Sequence, residues 1–193
     1  MRRQEKAFLP TKWGEFHIIA YAAEEDEPMP HLAMVSVRTD IGKPVNVRIH
    51  SECMTGDLFG SNKCDCGEQL DAALQHISQE GGVLIYLRQE GRGIGIINKL
   101  RAYNLQAEGM NTIDANVHLG LEIDGRSYEI AIAILEDLGI KAIRLLTNNP
   151  EKIEAIAASS IELIERIPLV IPPKKENQDY LDTKQNQMGH LFE

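Results

Sequence analysis

The spacing of the apolar residues changes once along the chain, and this change constrains the fold more than any other feature. Before residue 50 the pattern predicts short strands separated by turns, at residues 13–21, 32–38 and 45–49. From residue 67 onwards, helical periods alternate with continuous apolar runs. They predict helices at residues 67–80, 96–107 and 128–138 and from Pro150, and strands at residues 83–87, 142–146 and 161–167. Short strands followed by strand–helix alternation predict an α/β fold, a single domain with a mixed, partly antiparallel sheet flanked by helices.

The remaining stretches lack such periods. Residues 1–6 are charged and predict a loose start, and residues 24–30 are acidic and interrupted by proline, which predicts a loop. Residues 110–125 are expected to be irregular. Residues 174–179 predict a solvated linker. Residues 180–192 are too apolar for a free tail, and we expect them to dock on the body of the protein or on a partner subunit.

Charge and hydropathy exclude several classes of protein. The formal net charge is −9 and the isoelectric point is about 5.2, which argues against a nucleic-acid-binding protein because such proteins need a basic face. An anionic substrate stays possible if the basic residues are concentrated in one place. No apolar run approaches the ~20 residues that cross a bilayer, and no signal-peptide pattern is present. We therefore expect a cytoplasmic protein that does not bind membranes.

All three cysteines fall close together, as Cys53, Cys64 and Cys66. An odd number cannot all pair as disulfides, and zinc prefers thiolates in tetrahedral geometry. Three protein ligands leave one coordination position open, as catalytic zinc sites do. Cys64 and Cys66 also precede a predicted helix, whose N-terminal dipole favours thiolates. The pattern therefore indicates a zinc site with an open position.

Other interpretations of the cysteines stay open at this point. They could be three unrelated buried thiols, since free cysteine is often simply buried. They could form a structural site completed by a distant histidine, for which the chain offers six candidates. A redox pair at Cys64 and Cys66 would leave Cys53 unexplained. His190, in the apolar terminal segment, is expected to be a surface or packed histidine and not a ligand.

Two strand ends are followed by sequences suited to phosphate. The strand at residues 83–87 leads into a glycine-rich turn with Arg88 and Arg92 and then a helix, which presents backbone N–H groups to an anion. The strand at residues 142–146 leads to Thr147 and Lys152 at another helix start. Both patterns also fit structural turns and plain helix caps. The Asp-Gly-Arg sequence at residues 124–126 likewise fits an ordinary turn or helix entry.

Six stretches together resemble the GTP cyclohydrolase II family of riboflavin biosynthesis. Singly they are unspecific, but jointly they extend over almost the whole chain. They are residues 48–57, 63–67, 88–92, 98–103, 144–150 and 180–184. The resemblance implies a catalytic domain at residues 1–173 and a C-terminal segment at residues 174–193. The resemblance covers no N-terminal synthase domain of the kind that some members carry, so we expect the stand-alone form.

The resemblance also implies the roles of individual residues. Cys53, Cys64 and Cys66 would hold zinc, with water as the fourth ligand. The residues that it places in the GTP site are Arg48, Ile49, His50, Ser51, Glu52, Gln69, Glu90, Gly91, Arg92, Thr112, Thr147 and Lys152. Asp124 and Arg126 correspond to the family's proposed acid/base and phosphate-attacking residues, although residues 122–127 match the family only at these two positions. Tyr103 corresponds to a tyrosine near the purine ring.

The reaction that the resemblance implies agrees with the chemistry of these residues. The products would be formate, diphosphate and a diaminopyrimidine carrying phosphoribose, with Mg²⁺ on the triphosphate and a homodimer as the unit. Zinc makes hydroxide available at neutral pH for attack on C8 of guanine, and Glu52 or Tyr103 could transfer protons. Attack by Arg126 on phosphate is physically awkward because a protonated guanidinium has no free lone pair. If it attacks, Asp124 must take its proton; otherwise Arg126 stabilises charge.

Two rival interpretations remain at the sequence level. One is a relative that acts on another nucleotide or stops after ring opening. The other is a non-catalytic nucleotide-binding or regulatory protein with a structural zinc, against which the absence of an evident fourth ligand speaks.

Overall fold

A computed structural model describes residues 1–192 and has a seven-stranded sheet in the order β1-β2-β3-β5-β4-β6-β7. The strands are β1 (Arg2–Pro10), β2 (Glu15–Ala22), β3 (His31–Ser36), β4 (Val45–Ser51), β5 (Val83–Leu87), β6 (Ala142–Leu146) and β7 (Glu162–Ile167). The pairs β1–β2, β2–β3 and β3–β5 are antiparallel, whereas β4–β5, β4–β6 and β6–β7 are parallel. The predicted α/β fold with a mixed sheet is therefore confirmed.

Helices connect and cover the strands. They are α1 (Met54–Asp57), α2 (Cys66–Glu80), α3 (Gly95–Ala107), α4 (Thr112–His118), α5 (Glu129–Asp137), α6 (Pro150–Ala157) and α7 (Gln178–Met188), with a short 3₁₀ turn at Glu90–Gly93. The side chain of Asn149 accepts a hydrogen bond from the backbone N–H of Glu151, and Pro150 is the first helical residue of α6. The start predicted for this helix is confirmed.

Strand β5 is covered on both faces, which explains its continuous apolar run. Val83, Ile85 and Leu87 pack into the larger hydrophobic cluster, with residues of α5 and α6. Leu84 points to the opposite face and packs with Leu74 and other residues of α2. The sheet is therefore sandwiched between helices at its centre, and its central strands are held rigidly.

The carboxyl ends of β4, β5 and β6 lie at one edge of the sheet because these strands are parallel. Ser51 at the end of β4 is opposite Leu87 at the end of β5, and β6 runs alongside in the same direction. The segments that follow these strands contain the cysteines, the glycine-rich turn and the start of α6. Such an edge is the usual place for ligands in open α/β sheets.

Three local predictions were wrong. Residues 1–6 are not loose: β1 pairs with β2, and Arg3 Nη2 lies 2.6 Å from Asp137 Oδ2. Part of the stretch predicted to be irregular forms α4, because the side chain of Asn111 caps its N-terminus. Residues 174–179 are not a solvated linker: Asn177 is fully buried and its side-chain oxygen accepts from the N–H of Lys174.

Nowhere in residues 1–192 does a helix have the length and apolar character that crossing a membrane requires.

Candidate active site

A cavity of about 430 Å³ opens at the carboxyl edge of the parallel strands. Most residues that the sequence singled out line it. These are Arg48, His50, Ser51, Glu52, Cys53, Cys64, Cys66, Gln69, Glu90, Gly91, Arg92, Tyr103, Thr112, Arg126, Thr147 and Lys152. Ile49 and Asp124 are not among the lining residues: the side chain of Ile49 is fully buried in the core, and Asp124 is bonded to Arg126.

The three cysteines converge at one end of the cavity. Their Sγ atoms all lie within 4.8 Å of one another, and those of Cys53 and Cys64 are 3.6 Å apart. Cys53 precedes α1, whereas Cys64 precedes α2 and Cys66 begins it. The two helices approach closely, and this requires a glycine at position 67. A Cβ on Gly67 would lie only 2.4 Å from the carbonyl oxygen of Gly56.

The cysteine cluster has the geometry of a zinc centre. Tetrahedral Zn–S bonds of about 2.3 Å place sulfur atoms about 3.8 Å apart, close to the spacing found here. A Cβ on Gly56 would lie 2.9 Å from Cys64 Sγ, so the glycine keeps the space beside the sulfurs clear. Among residues 1–192, no histidine or carboxylate joins the three thiols in this group. The donor set fits zinc with one position left for water or substrate.

Electrostatic interactions prepare the cluster for a cation. Hydrogen bonds from the thiols of Cys64 and Cys66 lower the pKa of the Cys53 thiol far below its usual value. The resulting thiolate raises the pKa of Cys64 to about 11. Lys99 Nζ lies 3.1 Å from Cys53 Sγ and 2.8 Å from Glu90 Oε1, and Glu90 in turn accepts from the N–H of Met54 at 2.6 Å. Lys99 therefore compensates the thiolate charge from within the fold.

A buried carboxylate fixes the loop behind Cys53. Asp57 accepts hydrogen bonds from the backbone N–H of Cys53 at 3.0 Å and from the hydroxyl of Tyr86 at 2.8 Å. Its Oδ1 also lies 3.0 Å from Nε2 of His50. Burial lowers the pKa of His50, so the imidazole is neutral and donates to the carboxylate. Asp57 thus orients a predicted zinc ligand and a predicted substrate contact together.

The same cavity concentrates positive charge in an acidic protein. Arg48, Arg92, Arg126, Lys152 and Lys184 all line it. Within the described part of the chain, Nε of Arg48 and both Nη atoms of Arg92 are buried without a hydrogen-bond partner. Buried donors are normally paired, so these atoms are available to bind an anion in the cavity.

Lys152 is one of the buried cations of the cavity, with 5% of its surface exposed. Its Nζ donates to the carbonyl oxygen of Ile49 at 2.8 Å. Burial, and then the charges of Arg48 and Arg126, lower its pKa well below the usual value. A bound polyanion would restore the charged form, because an opposite charge nearby favours it.

Asp124 and Arg126 form a two-pronged ion pair beside these cations. Arg126 Nε donates to Asp124 Oδ1 at 2.8 Å, and Nη2 bonds to Oδ2. Burial alone would lower the pKa of Arg126, but the bonds to Asp124 raise it above its usual value. The guanidinium is therefore protonated and held in one orientation by its neighbour.

Tyr103 and Glu52 flank the cysteines. The hydroxyl of Tyr103 lies 3.3 Å from Oγ1 of Thr55, which contacts Cys53 Sγ at 3.7 Å. Burial raises the pKa of Tyr103, so its hydroxyl keeps its proton at neutral pH. Glu52 accepts from Nη1 of Arg88 at 2.8 Å. Arg88, which the sequence predicted to bind phosphate, is therefore held in an ion pair with Glu52.

Several site residues were missed from the sequence. Lys99 and Lys184 lie in stretches that had been matched, yet they were given no role, and Asp57 looked like an ordinary acidic residue. The end of the chain contributes Glu176, Tyr180, Thr183, Lys184, His190 and Phe192 to the cavity. Lys99 and Lys184 each occupy a helix position where the periodic spacing predicts an apolar residue. A charged residue at such a position was the signal that could have identified them.

Comparisons with known proteins identify the family of the chain. The sequence profile of the family described as GTP cyclohydrolase II matches residues 2–168. The chain is 54% identical over 191 residues to "Riboflavin biosynthesis protein RibBA" of Bacillus cereus (strain G9842), covering 98% of this chain and 48% of the relative. It is 53% identical over 191 residues to the protein of the same name from Bacillus mycoides (strain KBAB4), with the same coverage. The chain thus spans about half the length of the curated relatives it matches.

One solved structure is distantly similar. It is RibBX, a two-domain 3,4-dihydroxy-2-butanone 4-phosphate synthase from A. baumannii, with a TM-score of 0.46 and 20% identity. The match covers 88% of this chain and 40% of that one.

Three clustered thiols and several cationic side chains line one cavity at the edge of an α/β sheet, so the site has the side chains of a metal-binding and anion-binding centre. The chain belongs to the GTP cyclohydrolase II family. The resemblance predicted from sequence is confirmed.

Proposed function

We propose that this chain converts GTP to formate, diphosphate and a diaminopyrimidine carrying phosphoribose, with zinc held by Cys53, Cys64 and Cys66. One observation supports the proposal above all. The three thiols, with one ligand position open, and buried cationic donors without partners line the same cavity. The guanine ring would lie beside the three cysteines, and the triphosphate would lie beside the unpaired donors of Arg48 and Arg92.

At the cysteine end, bound zinc would supply water of lowered pKa for attack on C8 of guanine. The residues around it orient the ring and move protons. Tyr103 keeps its hydroxyl proton because burial raises its pKa, so it can donate that proton to the imidazole nitrogen as the ring opens. Glu52 is bonded to Arg88, and we assign it a positioning role beside Cys53.

Around the triphosphate, the unpaired donors of Arg48 and Arg92 would bind the phosphate oxygens, and Lys152 would add a further positive charge. Arg126 would stabilise the diphosphate leaving group as a fixed, protonated clamp, because Asp124 raises its pKa. Ile49 would act only through its carbonyl oxygen, which holds Lys152 in place. Gly91, Thr112 and Thr147 would complete this part of the proposed GTP site, and Glu90 would belong to the part beside Cys53.

Three further features belong to the proposal. Mg²⁺ would accompany the triphosphate, as hard oxygen ligands favour. The unit would be a homodimer, which the family resemblance and the exposed side chains of Leu58 and Phe59 support. A cytoplasmic setting would keep the three free cysteines reduced.

The test is to incubate the zinc-loaded protein with GTP and Mg²⁺ and to follow the three products by mass spectrometry. We expect all three products from the wild type and none of the ring-opened products from Cys64→Ser. Thr39→Ser, a conservative change in a turn away from the cavity, serves as the control and should behave as wild type. GTP that binds to the wild type and stays intact would refute the proposal and favour a regulatory role.

A further inference from the structure

The end of the chain enters the cavity although the family profile stops at residue 168. Helix α7 places Tyr180, Thr183 and Lys184 on the cavity wall, and His190 follows it. Residues 180–184 are one of the stretches that resemble the family, but the resemblance gives them no role, so the segment 177–192 needs a separate explanation.

Lys184 is buried and bonded to the loop that holds the cysteines. Its side chain is only 10% exposed, and its Nζ donates to Oδ1 of Asp65 at 2.7 Å. Asp65 is 1% exposed and lies between Cys64 and Cys66 in the sequence. A carboxylate buried next to thiolates needs a cation, because an unpaired buried charge is costly.

The interaction continues from Asp65 to a cation of the cavity. Nε2 of Gln69 donates to Oδ2 of Asp65 at 2.5 Å, and Nη2 of Arg48 donates to Oε1 of Gln69 at 2.6 Å. Nη1 of Arg48 is held by the carbonyl oxygen of Leu146 at 3.0 Å. These bonds fix the guanidinium and leave its Nε unpaired in the cavity.

Gln69 can serve Arg48 only in one orientation. Its amide has a donor end and an acceptor end, and Asp65 requires the donor end. The acceptor end therefore faces Arg48. If Asp65 moved, the amide would lose the bond that fixes its position, and its oxygen would hold the guanidinium less firmly. The ammonium of Lys184 prevents this by holding Asp65 in place.

The segment is attached at its far end as well. The N–H of Leu191 donates to the carbonyl oxygen of Asn148 at 2.8 Å, and the N–H of His190 donates to that of Lys184 at 3.0 Å. Gly189 has a φ of 63°, a left-handed conformation that ends α7 and turns the chain back. The segment is thus fixed to the loop that follows β6, beside Thr147.

We propose that residues 177–192 are an integral part of the substrate site and that Lys184 is a positioning residue, which orients Arg48 through Asp65 and Gln69. This inference rests on the proposed function, since it assigns the end of the chain to the triphosphate half of the same site. Lys184 does not itself need to touch the substrate.

The test compares Lys184→Met, Lys184→Arg and Lys175→Met in the full-length, zinc-loaded chain. Lys175 is an exposed lysine just before α7 and provides the matched control. We expect Lys184→Met to weaken GTP binding, measured by calorimetry, by at least roughly tenfold and to raise KM more than it lowers kcat. Lys184→Arg should recover most of the affinity, and Lys175→Met should equal the wild type.

A second variant tests the same interaction from its other end and guards against a folding defect in Lys184→Met. Asp65→Asn should weaken GTP binding similarly, and combining it with Lys184→Met should add little, because both changes break one contact. Additive losses, or wild-type affinity in Lys184→Met at equal zinc content, would overturn the inference.

Inorganic triphosphate serves as a second probe and separates the two proposals. If the wild type binds GTP without forming products, the proposed function fails while the binding comparison still decides the role of Lys184. If the wild type binds neither GTP nor inorganic triphosphate, both proposals are overturned.

Discussion

The ammonium of Lys99 donates to the thiolate of Cys53, with Nζ 3.1 Å from Sγ. Partners of metal ligands typically contribute about 10–100-fold to metal affinity. We expect Lys99→Met to lower zinc affinity by about this factor, because the thiolate loses a cation and a hydrogen bond. Competition with a chelator measures the change. Lys141→Met, at an exposed position before β6, should bind zinc as the wild type does, and an equal loss in both variants would contradict a specific role for Lys99.

The space beside the cysteines makes a second prediction possible. A methyl group at Gly56 would lie 2.9 Å from Cys64 Sγ and 3.3 Å from Cys53 Sγ. Gly56→Ala should therefore displace the sulfurs and reduce zinc content, with a smaller effect on the unfolding of the metal-free chain. Metal analysis together with thermal unfolding separates the two effects. Gly42→Ala, in an exposed turn, is the control; full zinc content in Gly56→Ala would show that the cluster tolerates the added group.

Lys152 should contribute to binding at the expense of stability. Burying the Lys152 amine among other cations costs free energy, and an apolar side chain of similar size avoids that cost. We expect Lys152→Met to leave the free energy of unfolding unchanged or higher, and to abolish most of the rise in Tm that GTP produces in the wild type. Lys43→Met, at an exposed position, should keep that rise. A destabilised variant that still responds fully to GTP would contradict this prediction.

The ion pair of Arg126 with Asp124 predicts a clamp and not a nucleophile. The guanidinium is bonded on two sides and its pKa is raised, so it lacks a free lone pair. We expect mass spectrometry of the protein during turnover, in the wild type and in Asp124→Asn, to find no phosphoramidate on Arg126. Arg126→Met should slow diphosphate release by about 100-fold and Arg126→Lys by less. Arg101→Met, on the exposed side of α3, should behave as wild type, whereas a phosphoramidate on Arg126 would establish attack.

His190 predicts a pH dependence of stability. Burial, and then the charges of Lys184, Arg126, Arg92 and Lys152, lower its pKa from 6.5 to about 4. Between these two values the unfolded chain binds more protons than the folded one, so the free energy of unfolding falls as the pH falls. His190→Gln should therefore lose less stability than the wild type between pH 6.5 and pH 4.

Urea unfolding at several pH values measures this difference. His118→Gln, at an exposed position of α4, should follow the wild-type profile. Identical pH profiles for His190→Gln and the wild type would rule out the buried imidazole as a source of acid sensitivity.

The parts of the fold that were predictable are those with strong local patterns. Strand β5 is a continuous apolar run and α2 repeats its apolar residues with a helical period, so both were found from sequence. Strand β1 was missed because most of its side chains are exposed at the sheet edge, and only its pairing with β2 makes it a strand. Helix α4 was missed because its start depends on one capping side chain, that of Asn111.

The site was predictable in its chemistry more than in its contacts. The cysteine pattern indicates thiol chemistry, and the sequences after the strand ends indicate phosphate binding. The bond between Lys184 and Asp65 joins residues 119 positions apart, and that between Lys99 and Cys53 joins residues 46 positions apart. Such pairings depend on the tertiary arrangement of helices, which no local period encodes.

Arg92 adopts a left-handed backbone conformation, with φ 63° and ψ 36°. This conformation costs a non-glycine residue about 1–2 kcal/mol, and glycine would adopt it freely. Selection for thermal stability alone would therefore favour glycine at position 92, and this substitution would remove the Arg92 guanidinium from the cavity. Engineering this protein for heat resistance by consensus or library methods should consequently monitor turnover at position 92, because the most durable variant there would be the least active.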